Sequence, residues 1–248
     1  MIIIKSPSEI EKMRLAGKIT AGALKVAGEK IRAGMTTKEL DRIIHDYIVS
    51  QGAQPSFLGY GGFPASACIS VNNEVIHGIP GSRKIMDGDI VSVDVGAFIN
   101  GYHGDSCKTF AVGQISSEAR ALLDATEESL YIGIKAARPG ARVGDISAAI
   151  EGYILSKGFA VVKQYVGHGV GRGLHEDPEV PNYGKAGHGP KLVPGMTIAV
   201  EPMVNIVGEE VKVMPNKWTV VTKSGSLSAH FEHTIAITSD GAEILTLP

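Results

Sequence analysis

The chain lacks the features expected of secreted, membrane-spanning or DNA-binding proteins. Its 248 residues include only two cysteines, Cys68 and Cys107, which is too few for a disulfide framework and predicts a cytoplasmic protein. No apolar run approaches the roughly 20 residues of a membrane span, and Met1–Lys5 does not have the pattern of a signal peptide. A formal net charge of −2 argues against DNA as a partner.

The composition is that of an ordinary globular protein, with 44% apolar and 20% charged residues. A chain of this length can form one large domain or two small ones. No stretch rich in proline or serine separates its two halves. We therefore predict one domain over residues 1–248, with internal halves of roughly 1–112 and 113–248.

A weak internal repeat relates these halves. A fixed offset aligns two apolar patterns of helical period that are each flanked by glycines: Gly34, Ile44, Ile48 and Gly52 with Gly140, Ile150, Ile154 and Gly158. The strands repeat as well, since residues 88–94 resemble 195–201 and an acid, Asp94 or Glu201, closes each. Chance similarity between amphipathic helices is the alternative. The repeat predicts an α+β fold whose halves are related by a pseudo-two-fold axis.

A β-hairpin is predicted around Asn100-Gly101, with strands over residues 90–99 and 102–112. In that register Asp94 lies opposite Cys107, and Asp105 is its diagonal neighbour with Cβ atoms about 7 Å apart or less. Two such carboxylates repel each other unless a proton or a cation lies between them. A solvated sheet face is the alternative, although valines surround Asp94.

The second half supplies further candidate ligands. Glu201 ends a strand, Glu232 lies in the strand pattern 228–235, and His168 lies where a strand enters a glycine-rich bend. The glycine spacing of that bend does not match a phosphate-binding loop. Four carboxylates and one imidazole suit two divalent ions, either Mn, Fe(II), Co or Zn. Such a pair lowers the pKa of a shared water and promotes hydrolysis.

The remaining histidines fall into two groups. His77 and His175 lie near bends that contain proline, and they are candidate donors to an oxyanion or a leaving amine. A surface-loop location is the alternative for both. The others carry no comparable signal and are expected to be structural: His45, His103, His188, His230 and His233.

The order of the five candidate ligands resembles that of the pita-bread metallopeptidases. They occur as Asp94, Asp105, His168, Glu201 and Glu232, with Gly-His-Gly-Val-Gly at 167–171 and Glu-Pro-Met at 201–203. Within that family the chain is similar to the short bacterial type I methionine aminopeptidases along essentially its whole length. The resemblance implies two related halves, each with helices on a mostly antiparallel, curved sheet.

The resemblance also implies a role for individual residues. Asp94 would bind one metal, His168 and Glu201 the other, while Asp105 and Glu232 would bridge both. The implied catalytic residues are His77, His175 and Glu201. His175 would contact the scissile carbonyl, His77 the departing nitrogen, and Glu201 would shuttle the proton. The implied substrate-binding residues are His77, His175, Tyr60, Phe63, Cys68 and Trp218. Leu174 stands where relatives often carry an aromatic residue.

The predicted activity is metal-dependent removal of the N-terminal methionine from newly made proteins whose second residue is small. A metal-bridged hydroxide would attack the scissile carbonyl. The family implies nascent polypeptides as partners, at the ribosome exit, and a monomer. Three alternatives remain: an X-Pro aminopeptidase or dipeptidase of the same fold, a pita-bread binding protein without activity, and an interaction module with acidic loops.

Overall fold

The computed structural model describes residues 1–248, and each half of the chain begins with two helices that lead into strands. The helices are α1 (Pro7–Lys30), α2 (Thr37–Ser50), α3 (Ser117–Ala136) and α4 (Val143–Ser156). The strands before α3 are β1 (Gln54–Pro55), β2 (Ala67–Val71), β3 (Glu74–Ile76), β4 (Ile90–Ile99) and β5 (Tyr102–Ala111). Those after α4 are β6 (Ala160–Val161), β7 (Gly167–Gly169), β8 (Glu176–Val180), β9 (Thr197–Val200), β10 (Met203–Asn205), β11 (Val211–Val213), β12 (Val220–Thr222), β13 (Ser228–His230), β14 (Glu232–Ile237) and β15 (Ala242–Ile244). This order confirms the predicted α+β fold.

Local sequence explains where the helices begin. The backbone N–H of Ser6 donates to the Glu9 carboxylate at 2.9 Å, and Pro7 occupies the first turn of α1, where no N–H is needed. Thr36 and Glu39 exchange the two hydrogen bonds of a capping box before α2, at 2.7 and 3.2 Å. In α2 the Thr36 hydroxyl thereby satisfies the N–H of Glu39, which the first helical turn would otherwise leave without a partner.

A nine-stranded sheet contains strands from both halves. Its order is β1, β4, β5, β14, β9, β7 and β8, with β2 also paired to β4 and β15 to β14. The halves join where β5 runs antiparallel to β14, with Cys107 opposite Glu232 and Ser106 opposite His233. We call this strand pair the seam. Two small sheets, β13-β10-β6 and β11-β12-β3, flank the large one.

The single strand predicted over 228–235 was wrong, because the structure divides it into β13 and β14. β13 pairs with β10 in a small sheet, whereas β14 pairs with β5 and β9 in the large one. The chain changes sheets at Phe231, whose N–H donates to the Pro202 carbonyl at 3.4 Å. His230 and Glu232 therefore belong to different sheets.

Matching backbone contacts relate the two halves. The N–H of Gly34 donates to the Ile85 carbonyl, and the N–H of Gly140 donates to the Leu192 carbonyl, both at 2.8 Å. Both glycines have positive φ, +87° and +91°, in the region that glycine adopts at little cost. The repeated sequence pattern thus corresponds to a repeated structure.

The helices pack against one face of the large sheet and leave the other face to the candidate ligands. Val91, Val93 and Val95 of β4 are buried in the core that contains α1 and α2, whereas Asp94 points to the opposite face. The helical apolar patterns are fully buried in both halves: Leu40, Ile44 and Ile48, then Ile146, Ile150 and Ile154. Each such side chain stabilises the fold by about 1.5–3 kcal/mol. No helix has the length and apolar character needed to cross a membrane.

Candidate metal centre and substrate cavity

The predicted hairpin positions the first two candidate ligands. Asn100 and Gly101 form its turn with φ of +53° and +83°, as a type I′ turn requires. Asp94 pairs with Cys107 and Gly96 pairs with Asp105, which confirms the predicted register. The second strand ends at Ala111, one residue before the predicted limit. The two aspartates therefore lie diagonally on one face of the sheet.

The second half brings its candidates to the same place. His168 Nε2 lies 3.7 Å from Asp105 Oδ2 and 3.5 Å from Glu201 Oε1. One ligand atom from each of Asp105, His168 and Glu232 lies within 4.8 Å of the others. All five candidate ligands line one cavity of about 740 Å³. Side chains from both halves thus face each other across the seam.

The acids of this cluster cannot all be charged without a compensating cation. Burial, and then the Asp105 charge, raises the pKa of Asp94 well above its usual range. Burial followed by neighbouring carboxylates does the same to Glu201 and Glu232, and burial raises the pKa of Asp105 to about 7. Three of the buried oxygens have no hydrogen-bond partner: Asp94 Oδ1, Asp105 Oδ1 and Glu232 Oε1. Buried acceptors without donors are the expected environment of a cation.

The histidine of the cluster is oriented as a metal ligand. His168 Nδ1 lies 2.8 Å from the Gly169 carbonyl, which can only accept, so Nδ1 carries the proton. Nε2 then directs its lone pair at the carboxylates. Burial, and then the nearby His175, lowers the pKa of His168 to about 3, which keeps the ring neutral. The donor set fits a divalent cation.

His175 and His77 line the same cavity. The ring of His175 lies 4.2 Å from that of His168, and its Nδ1 lies 2.8 Å from the Tyr60 hydroxyl. His77 has a positive φ of +56° and packs edge-on to Tyr165 and Trp218. Burial, followed by the charge of His175, lowers the pKa of His77 to about 4. Both imidazoles are available as neutral groups at pH 7.

A buried ion pair supports the bend that carries His175. Lys5 Nζ lies 2.6 Å from Glu176 Oε2, with side chains only 2% and 9% exposed. Glu176 Oε1 accepts the N–H of Gly173 at 3.0 Å. The N–H of Lys5 donates to the Gly195 carbonyl at 2.8 Å. The N-terminal segment is thereby fixed beneath the bend, a contact that no local pattern in the sequence indicates.

The cavity has an apolar end next to the acids. Phe63, Cys68 and Leu174 are buried there in one cluster, and the rings of Phe63 and Trp218 meet edge to face at 5.2 Å. Tyr60 is 45% exposed and contacts His175 at the cavity mouth. Phe57 also lines this end, and the sequence interpretation did not include it. Phe57 follows the two-residue strand β1, which is too short to give a strand pattern in the sequence.

His230 is the second residue that the sequence interpretation missed. It was expected to be structural, yet it is buried and lines the cavity, with Nε2 3.6 Å from Glu201 Oε2. No local signal in the sequence identifies it, because its place depends on the change of sheet at Phe231. His45 contacts Ser66 and His188 is exposed, as expected of structural residues.

The fold and the cluster together define a class of protein. The model of metallopeptidase family M24 matches residues 11–239. This match covers most of the chain, which therefore belongs to that family of metallopeptidases.

Individual proteins show a more specific similarity than the family match. The chain is 56% identical to a methionine aminopeptidase of Clostridium perfringens over 100% of its own length and 99% of the relative. The crystal structure of a methionine aminopeptidase from Thermotoga maritima matches with a TM-score of 0.98 and 48% identity, covering 100% of both chains. A prolidase from Pyrococcus furiosus matches with a TM-score of 0.80 and 26% identity, covering 99% of this chain and 66% of the prolidase.

Proposed function

We propose that the chain is a methionyl aminopeptidase that removes the N-terminal methionine of new proteins when the second residue is small. The observation that carries this proposal is the convergence of four carboxylates and His168 on one cavity with an apolar end. The full-length similarity to proteins named methionine aminopeptidase supports it. We assign the activity to a single catalytic domain over residues 1–248, with its halves dividing near residue 112.

The proposed cofactor is two divalent ions per chain, either Co, Mn, Fe(II) or Zn. Asp94 would hold one ion, His168 and Glu201 the other, and Asp105 and Glu232 would contact both. When bound, such ions supply Lewis acidity and lower the pKa of water toward neutrality. The unpartnered oxygens of Asp94, Asp105 and Glu232 support this assignment.

The protein's own groups would perform the remaining steps. Glu201 would take a proton from the attacking water and pass it to the departing nitrogen as the C–N bond breaks. His175 would donate a hydrogen bond to the scissile carbonyl oxygen, where negative charge develops. His77 would lie beside the departing nitrogen. The hydroxyl of Tyr60, 2.8 Å from His175 Nδ1, would orient that ring.

The apolar end of the cavity is the proposed methionine pocket. Phe63, Cys68 and Trp218 surround it, and a thioether packs well against aromatic ring edges. Leu174 is buried in the same cluster and contributes aliphatic surface. Tyr60 would close the pocket at its mouth. The substrates would be nascent polypeptides at the ribosome, met by a monomer in the cytoplasm.

A comparison of peptides tests this proposal. Metal-reconstituted protein is expected to hydrolyse Met-Ala-Ser much faster than Met-Leu-Ser, and to leave Ala-Pro intact. Preferred cleavage of Ala-Pro would instead identify an X-Pro enzyme, the activity suggested by the more distant prolidase match. Elemental analysis of protein purified without chelator is expected to find two ions per chain, and light scattering a mass near 26.1 kDa.

A further inference from the structure

His230 is held in the fold by a hydroxyl from the other half. The Thr109 hydroxyl donates to the His230 carbonyl at 2.8 Å and accepts the His230 N–H at 3.0 Å. The backbone of His230 is therefore fixed from both sides. Its side chain is 2% exposed and extends into the cavity.

The same arrangement holds Asp105. The Thr234 hydroxyl donates to the Asp105 carbonyl at 2.7 Å and accepts the Asp105 N–H at 3.1 Å. Thr109 and Asp105 belong to β5, whereas Thr234 and His230 belong to the second half. Each threonine hydroxyl thus bonds both backbone groups of a residue in the other half, an arrangement that we call a threonine clasp. The bonded residue lies four positions before the threonine of its own half: His230 before Thr234, and Asp105 before Thr109. The reciprocal pattern gives His230 the place in the second half that Asp105 has in the first.

The side chain of His230 faces a candidate ligand. Its Nε2 is a buried nitrogen without a hydrogen-bond partner and lies 3.6 Å from Glu201 Oε2. The other oxygen, Glu201 Oε1, lies 3.5 Å from His168 Nε2. The Glu201 carboxylate is therefore placed between two imidazoles. The gap to His230 slightly exceeds a hydrogen bond, and such contacts commonly shorten when a site is loaded.

We propose that His230 is a positioning residue for Glu201: it donates Nε2–H to Oε2 and so directs Oε1 toward the metal centre. This inference rests on the proposed function only in requiring a divalent cation at the cluster. A neutral imidazole has one N–H to donate. A donor behind a ligating carboxylate fixes its orientation, and loss of such a donor weakens metal binding by about 10–100-fold.

The test measures metal binding rather than catalysis. The affinity of metal-free protein for Mn²⁺ is compared among wild type, His230→Leu, His230→Gln and the exposed control His188→Ala. We expect His230→Leu to bind Mn²⁺ about 10–100-fold more weakly. His230→Gln retains an N–H donor and should stay within about threefold of wild type, as should the control. A purely structural role would lower the thermal midpoint of metal-free protein without changing the Mn²⁺ affinity.

Two results would overturn the inference. Unchanged affinity in folded His230→Leu would show that the donor is unimportant, and equal weakening in both His230 variants would indicate that the imidazole itself is a ligand. If His230→Leu does not fold, the imidazole ¹⁵N spectrum of zinc-loaded wild type decides. A protonated Nε2 supports the proposal, and a bare Nε2 refutes it. Wild type that binds Mn²⁺ but does not cleave Met-Ala-Ser would refute the proposed function alone.

Discussion

Strands β4 and β5 in the first half and β9 and β14 in the second share one backbone plan but present different side chains to the cavity. Asp94 lies within β4, which continues to Ile99 rather than ending at the acid as predicted, whereas Glu201 directly follows β9. The paired hydrogen bonds of Thr109 and Thr234 give His230 and Asp105 corresponding places. The frame of glycine turns and clasps is thus duplicated, while the ligand chemistry is divided between the halves. The comparison teaches that backbone geometry and site chemistry can be varied separately in this fold.

The largest expected effect separates two residues that face each other across the seam. Glu232 and Cys107 are paired in register, yet only the first is a proposed ligand. Glu232→Ala should lower turnover of Met-Ala-Ser by about 10³-fold or more because an ion loses its anchor. Cys107→Ala should change turnover by less than about threefold, since its buried thiol is not a proposed ligand and donates only a weak hydrogen bond, 3.5 Å to the His230 carbonyl. Steady-state kinetics and metal content decide, and comparable losses in both variants would contradict the proposed division.

A second expected effect concerns His175 of the second half, the proposed hydrogen-bond donor to the scissile carbonyl. His175→Ala should lower turnover by about 10²-fold because a donor to the scissile carbonyl is removed. Metal content, measured by elemental analysis, should stay at the wild-type value. Tyr60→Phe removes only the hydroxyl that orients the ring, so it should reduce turnover less. Loss of metal from His175→Ala would instead make this residue a ligand.

The third expectation concerns the pH dependence of stability and Asp105, the residue of the first half whose place corresponds to that of His230. The pKa of Asp105 in the folded, metal-free protein is about 7, above its ordinary value of 3.8. Between pH 4 and 7 the Asp105 carboxyl is therefore largely protonated in the folded state and largely ionised in the unfolded state. The free energy of unfolding consequently falls as the pH rises through this range. Asp105→Asn should match wild type near pH 4 and exceed it by about 2–4 kcal/mol at pH 8. Urea unfolding in chelator measures this difference, and a pH-independent gap would count against it.

The smallest expected effect tests the duplicated frame itself. Gly34→Ala and Gly140→Ala each introduce a Cβ at positive φ without a steric clash, so each should cost about 1–2 kcal/mol. Thermal midpoints should fall by similar amounts in the two variants. Gly152→Ala, within α4 and in open space, should instead stabilise by about 0.5–1 kcal/mol. A large difference between Gly34→Ala and Gly140→Ala would show that the two turns are not equivalent.

Much of the fold could be predicted because its signals are local. The Asn100-Gly101 turn determines the hairpin register, and the helical patterns around Ile44 and Ile150 mark the repeat. The place of His230 could not be predicted, since it depends on the change of sheet at Phe231 and on a hydroxyl from the other half. The identities of the candidate ligands followed from residue order. Their metal-binding roles stay predictions.

The ion pair between Lys5 and Glu176 has a consequence for the order of folding. The two residues are 171 positions apart in the chain. During synthesis Lys5 emerges first, and it must remain hydrated until the bend that follows β7 has been made and β9 has paired with β7. A lysine buried before its partner arrives would be a strongly unfavourable charge. The bend that carries His175 should therefore acquire its final shape only after the second half has largely been translated.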